Sequence, residues 1–505
     1  DPDRPLHGDP TLPPAAATAP EVRSVPGIDR RRFLVGSTIT LFGFDLFGWI
    51  PKGNDPLPPV RPQPPRPPAH GGNLVRPGTA GLMDEQVFQR RVDDYLAFAT
   101  ARVNPENPTN VAAHLTRARR DPSYRWDPSS VNLEAMARRF ARIDAWEDTR
   151  DFDLMYLLWL LDLGRGDTPT TRLDRALLTA IEERLIANRY RYDDPLPDDR
   201  VDNLWFWSEN HIIINLALEF LAGQRLPERT FAVTGMTGAE HAERARADIV
   251  EWVSERIELG FFEWHSNVYM LKNITPLLML AELSTDLEVA AMAAIGLDLC
   301  LLDMAGHNHA GCYTAPRGRT YKKDKMSSLD EATFGTAKFV FDDTDAPYTS
   351  TSDGGAAYLC AAQRYRPPQA VIDIATASGE SVVRERHGVY FDGSTPVQRH
   401  VWAPYGRDFT DQENLPFWWS LGAVGMWPLA EVGVATANRF RLWETSGFDQ
   451  IKLLAQLNAG GQSYGQRSTQ GGYASYCCSN PCMSLCVINA LCNCCCGARG
   501  YYGGC

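Results

Sequence analysis

The sequence predicts a mainly α-helical protein: an α/α toroid of antiparallel helical hairpins, with a small β-containing segment toward the C-terminus. Three observations predict it. Apolar residues recur at three- and four-residue spacing through 86–103, 131–147, 172–190, 203–223, 239–259, 264–284 and 286–305, the period of an amphipathic helix. The run DFDLMYLLWLLDL at 151–163 is apolar on nearly every face, as a fully buried helix is. The connectors are short and carry helix punctuation, such as Gly223 with Gln224 and the stretch TGMTG at 234–238. Helix after helix on short loops implies hairpins stacked in order, and a closed ring of them is the leading architecture. An open solenoid would show a repeat of fixed period, and none is visible.

Taken in order, residues 1–50 form an N-terminal extension. Its segment DRRRFLV at 29–35 has the polar-Arg-Arg-x-Phe-Leu order of a twin-arginine export signal. The apolar stretch that follows reaches Ile50 but contains Asp45, which argues against a stable membrane-spanning helix. Export to the periplasm, cell envelope or exterior is therefore expected, with membrane contact through this segment alone. The first residue is Asp1 rather than Met, so a fragment or processed product is expected. Residues 51–75 are a Pro-rich linker that favours extended polyproline backbone and cannot pack a core. The helical domain spans 76–458. Within it, 345–400 is richer in Thr, Ser, Gly and β-branched residues and offers a strand at 388–391 (GVYF) before the turn Asp392 and Gly393. Residues 415–457 return to an apolar helical pattern with Trp418, Trp419, Trp427 and Trp443. The tail 459–505 holds nine of the 12 cysteines, without a clean pair of C-x-x-C motifs. A disulfide knot, a soft-metal site and a non-native end all fit it.

Composition narrows the function. The 505 residues are 44% hydrophobic and 22% charged, with net charge −12, which is ordinary for a globular protein. An acidic chain of this kind lacks the basic footprint that nucleic-acid binding needs. Thirteen Trp suit sugar stacking, although large aromatics also simply fill cores.

Three segments carry candidate chemistry. The first, Trp205 to His211 (WFWSENH), opens the apolar helix 212–221. Burying Glu209, Asn210 and His211 together is costly unless they are paired or used. The second, GFFEWHSNVY at 260–269, repeats the logic with Glu263, Trp264, His265 and Tyr269 before another apolar run. On a helix, His265 and Tyr269 would share a face. The third, RGRTYKKDK at 317–325, is the one concentrated basic run and contains Arg317, Arg319 and Tyr321. It is either a solvated charge run or a clamp for sugar carboxylates or sulfates, for which Arg offers bidentate bonds. His307 and His309 alternate ahead of it; metal ligation is one reading, loop hydrogen bonding the favoured one. No metal and no cofactor is expected.

Asn210 and His211 at a helix start, followed by the His-Ser-Asn-Val-Tyr segment ending in Tyr269, resemble the alginate lyases of the α/α-toroid class. Related lyases acting on chondroitin, hyaluronan and heparin-like chains share that toroid. The resemblance covers roughly 200–325, a quarter of the chain. It implies an uronate-containing polysaccharide substrate and β-elimination. Asn210 would bind the C6 carboxylate, His211 would be the base or assist it, and Tyr269 would serve as acid or base. Arg317 or Arg319 would be the basic partner; Arg319 is taken as catalytic, and Arg317 with Trp205, Trp207, Glu209, Glu263, Trp264, His265 and Tyr321 as substrate-binding. Two features depart from the family. Glu209 beside Asn210 would repel a uronate unless protonated or tied to an Arg, and residues 459–505 do not read as the β-sandwich that such lyases often carry after the toroid. A glycoside hydrolase on the same ring, using Glu209 and Glu263 with Asp202 in reserve, is the alternative enzyme. A non-catalytic carbohydrate-binding protein of the cell envelope is the alternative from another class.

Overall fold

The computed structural model describes residues 81–317, 319–385, 438 and 441–446. The export segment, the Pro-rich linker, the strand expected at 388–391, Trp418, Trp419 and Trp427, and the Cys-rich tail lie outside the described residues. What is described is mainly helical.

Nine longer helices come first: α1 (Glu85–Ala99), α2 (Pro108–Arg120), α3 (Leu133–Asp144), α4 (Arg150–Leu163), α5 (Arg175–Ala187), α6 (Glu209–Arg225), α7 (Gly238–Leu259), α8 (Met270–Leu283) and α9 (Leu287–Gly306). Four short ones follow: α10 (Lys322–Met326), α11 (Phe334–Val340), α12 (Gly354–Leu359) and α13 (Gln369–Ala375). Starts are set by side-chain caps. Asp84, Asn132, Ser208 and Asp286 each accept from a backbone N–H in the first turn, satisfying donors that a helix start leaves orphaned. Thr237 and Glu240 form a reciprocal capping box on α7, so the TGMTG connector is also a helix start.

Burial alternates along the chain. α2, α4, α6, α8 and α12 are buried on nearly every side. α1, α3, α5 and α7 keep polar outward faces of Glu, Asp, Arg and Gln. Each buried helix packs on the next: α2 on α4, α4 on α6, α6 on α8, α8 on α12 and α12 back on α2. Backbone bonds also tie the segment before α1 to the start of α13. Met83 N–H donates to Pro367 O at 2.8 Å, and Gln369 N–H to Gly81 O at 2.8 Å. Glu85 is held by Arg366 at 2.8 and 3.0 Å, and this guanidinium pulls the carboxyl down to about 2. α9, apolar and long enough to cross a membrane by length and composition, packs against α7, α8 and α13.

The helical periods at 86–103, 131–147, 151–163, 172–190, 239–259 and 286–305 correspond to α1, α3, α4, α5, α7 and α9. The structure adds to or differs from these expectations in four places. α2 was not expected: its sequence PTNVAAHLTRARR has too few large apolar residues to show a period, because Ala and small polar side chains fill a tight interior. Residues 203–208 and 264–269 are not helical; α6 and α8 begin after Ser208 and Tyr269. Residues 345–385 carry helices α12 and α13. The strand pair among the described residues is instead β1 (Asn308–His309) with β2 (Cys312–Tyr313), antiparallel, in register Asn308 to Tyr313 and His309 to Cys312. Its two-residue turn, Ala310 and Gly311, has φ of 50° and 77°, the positive values that a tight hairpin turn requires.

Candidate active site

The site gathers at the first turns of α6 and α8 and the loop that leads into α10. Ser208 caps α6, which puts Glu209, Asn210 and His211 on its opening turn, all buried. Three polar groups there need partners, and each finds one at long range.

Glu209 turns away from the others. Its Oε1 and Oε2 accept from the backbone N–H of Phe262 and Glu263, both at 3.0 Å, and Arg256 pairs with it at 3.0 Å. It thereby fixes the loop 260–269 against α6. Burial pushes its pKa up, aided by Glu263 and opposed by Arg256. The condition set by the sequence, that Glu209 be tied to an Arg, is met.

Asn210 Nδ2 donates to Glu263 Oε2 at 2.5 Å, and Arg319 Nη1 to Glu263 Oε1 at 2.5 Å. One carboxylate therefore holds two donors from different segments side by side. The Arg319 guanidinium also lies 4.1 Å from the centre of the Tyr269 ring, a cation–π contact. The Tyr269 hydroxyl is hydrogen-bonded to that of Tyr321. Tyr269 is the N-cap of α8, and its N–H donates to Ser266 Oγ at 3.1 Å. Burial drives its pKa well above the ordinary phenol value, overriding Arg319.

His211 Nδ1 lies 2.7 Å from Asp151 Oδ2, and its ring stacks on Phe152 at 4.9 Å and 8°. Burial lowers the imidazole pKa, but Asp151, Asp148 and Glu263 together raise it above its ordinary value. Asp148 is itself pushed up to about 6 by burial. Asp151 is the residue that sequence reasoning missed. The signal was present: three Asp, 151, 153 and 162, in an otherwise apolar run, of which Asp162 pairs with Arg225. Asp153 is taken up by Arg139 and Arg142, which leaves Asp151 for His211.

Compared with family models, curated proteins and solved structures, the chain matches none.

The remaining expected residues fall elsewhere. Arg317 pairs with Glu331 and donates to the carbonyls of Tyr313 and Asp324, so it braces its own loop, whereas Arg319 reaches Glu263 and Tyr269. Trp205 and Trp207 are 5% and 3% exposed and stand in the core rather than as open platforms; Trp264, at 39%, is the exposed one. His265 and Tyr269 do not share a helical face. His265 takes φ of 49° and points to Asp303, 3.1 Å away. Asp202, the reserve carboxylate, is locked by Arg150 at 2.5 Å and Arg189 at 3.1 Å. Asp303, His307 and Tyr313 gather around His265, apart from the Asn210 cluster.

Proposed function

We propose that the chain is an exported α/α-toroid polysaccharide lyase that cleaves uronate-containing polysaccharide by β-elimination. The cycle of buried helices α2, α4, α6, α8 and α12 supports the toroid. The observation that carries the activity is the junction at Glu263: it joins Asn210 and Arg319, Arg319 lies on Tyr269, and His211 is the next residue after Asn210.

Elimination from a 4-linked uronic acid makes three demands. The carboxylate must be neutralised so that the C5 proton becomes acidic. Asn210 and Arg319 are the donors for this, a preorganised electrostatic contribution of about 2.7–4 kcal/mol per donor. A base must take the C5 proton. His211 fits, because Asp151 at Nδ1 makes that the protonated nitrogen and leaves Nε2 as the acceptor. An acid must protonate O4 as the C4–O4 bond breaks and C4=C5 forms. Tyr269 fits, since its buried phenol holds its proton and Tyr321 can resupply it. Glu263 is a positioning residue for the donor pair.

The hydrolase alternative loses support, because Glu209 spends both oxygens on backbone N–H groups and Arg256. The test is ultraviolet absorbance of unsaturated sugar from a panel of uronate polysaccharides. Activity that Tyr269→Phe and His211→Ala each abolish supports elimination. New reducing ends without absorbance, dependent on Glu263, would make it a hydrolase. Binding without turnover on every substrate would make it a carbohydrate-binding protein.

A further inference from the structure

The loop that carries Glu263 continues into a second cluster, which the elimination chemistry does not use. His265 leaves that loop with positive φ, an uncommon conformation for a residue with a side chain, and its imidazole is buried. Nδ1 lies 3.1 Å from Asp303 Oδ1 and 3.2 Å from the Tyr313 hydroxyl, and Nε2 lies 3.1 Å from Glu385 Oε2. His307, the C-cap of α9, places Nε2 3.6 Å from the same Glu385 oxygen, while its Nδ1 lies 3.0 Å from the Asp303 carbonyl. One ligand atom from each of His265, Asp303, His307 and Glu385 lies within 4.8 Å of the others.

A further observation points to a cation. Asp303 is 7% exposed and its Oδ2 has no hydrogen-bond partner. A buried acceptor left unmade costs about 1–3 kcal/mol, more when charged. An imidazolium on His265 between the two carboxylates would satisfy Asp303 Oδ1 and Glu385, yet leave Oδ2 as it is.

We propose that His265, Asp303, His307 and Glu385 form a divalent transition-metal site of the zinc type. Zinc takes imidazole and carboxylate ligands at about 2.0–2.2 Å, which sets ligand atoms of a tetrahedron about 3.4 Å apart. With Nε2 as the ligand atom of both imidazoles, Glu385 Oε2 lies 3.1 Å from His265 and 3.6 Å from His307, while Asp303 Oδ1 stays on His265 Nδ1 and leaves Oδ2 for the ion. Two carboxylates balance a divalent charge when both imidazoles are neutral. The supporting contacts match: His307 Nδ1–H donates to the Asp303 carbonyl and leaves Nε2 as the ligand, the usual device for fixing a metal-bound tautomer. The C-terminus of α9 adds the negative end of a helix dipole. Two imidazoles disfavour calcium and magnesium, which prefer all-oxygen shells. The segment 383–385 already packs on this end of α9, where a β-carbon on Gly306 would meet Val383 at 3.5 Å. The ion would tie loop 260–269, α9 and that segment together. Its role is structural and stands whether or not the chain is a lyase.

The test uses the full chain, stripped with chelator and titrated with Co²⁺ under reducing conditions, beside His307→Ala and Glu385→Gln. The tail cysteines report themselves by intense thiolate-to-cobalt bands, whereas this site gives weak visible bands of nitrogen and oxygen ligands. The expected result is one equivalent of the weak-band species in the parent chain. Each variant should weaken it by more than the roughly 10–100-fold that a supporting partner costs. Chelator should also lower the melting temperature of the parent but not of the variants. Glu385→Gln keeps side-chain shape, and far-ultraviolet circular dichroism establishes that both variants fold. A parent chain with thiolate bands alone, or one whose weak bands persist unchanged in both variants, overturns the proposal.

Discussion

At His211, burial and Asp151 pull in opposite directions, and Asp151 wins, so the folded pKa lies above the ordinary 6.5. The sign follows. The stability this pair supplies is fully present below 6.5 and is lost as pH rises through the raised folded value. If His211 is the base, the acid limb of kcat/KM lies above 6.5, because the imidazole must first lose its proton. Asp151→Asn should shift that limb to lower pH and cut the plateau by about 10²-fold or more, read from a pH–rate profile. An unmoved limb would remove His211 from the base role. Asn210→Ala should cost about 10²–10³ in kcat, as loss of one oxyanion donor does. Glu263→Gln should lower kcat more than it raises KM, since it disturbs two donors without removing either.

Helix caps and close approaches decide the next level. Asp353 caps α12 by accepting from Ala356 N–H at 3.0 Å, and burial pushes its carboxyl up to about 6. Its contribution favours the folded state below 3.8 and is lost as pH rises through about 6. Asp353→Asn keeps the capping oxygen and removes the buried charge. It should therefore stabilise by about 1 kcal/mol or more at pH 7.5 and by nothing near pH 3.5, measured by urea midpoints at the two pH values. α6 and α7 meet at glycine: a β-carbon on Gly223 would lie 2.3 Å from the Gly238 carbonyl oxygen. Gly223→Ala should cost about 1–3 kcal/mol by overpacking, despite the better helix propensity of Ala.

Closure of the helix cycle governs the whole molecule. α12 seats between α8 and α2 because Gly354 and Gly355 leave room; β-carbons there would meet Tyr156 at 2.9 Å and Leu271 at 2.9 Å. If these contacts close into the proposed toroid, no terminal pair is left to fray, so the buried amides of α2 should exchange as slowly as those of α8 and unfolding should be one transition. Hydrogen exchange by mass spectrometry checks this. Early, separate opening of α1 and α2 would instead indicate an open array of hairpins.

The sequence by itself determined that the chain is helical, where most long helices run, and which segments gather polar groups at apolar helix starts. Those are local properties: apolar period, capping residues and charge inside an apolar run all act within a few residues. The tertiary structure decided the partners. Asn210 meets Glu263 across 53 residues, Glu263 meets Arg319 across 56, and His211 meets Asp151 across 60. It also tied Glu209 to the loop 260–269, placed Arg319 rather than Arg317 on Glu263, and separated His265 from Tyr269. No spacing rule reaches that far, because these contacts depend on which helix starts lie at the same end of the packed helices. That is fixed by the burial of whole apolar faces, a property of the assembled core rather than of any one segment.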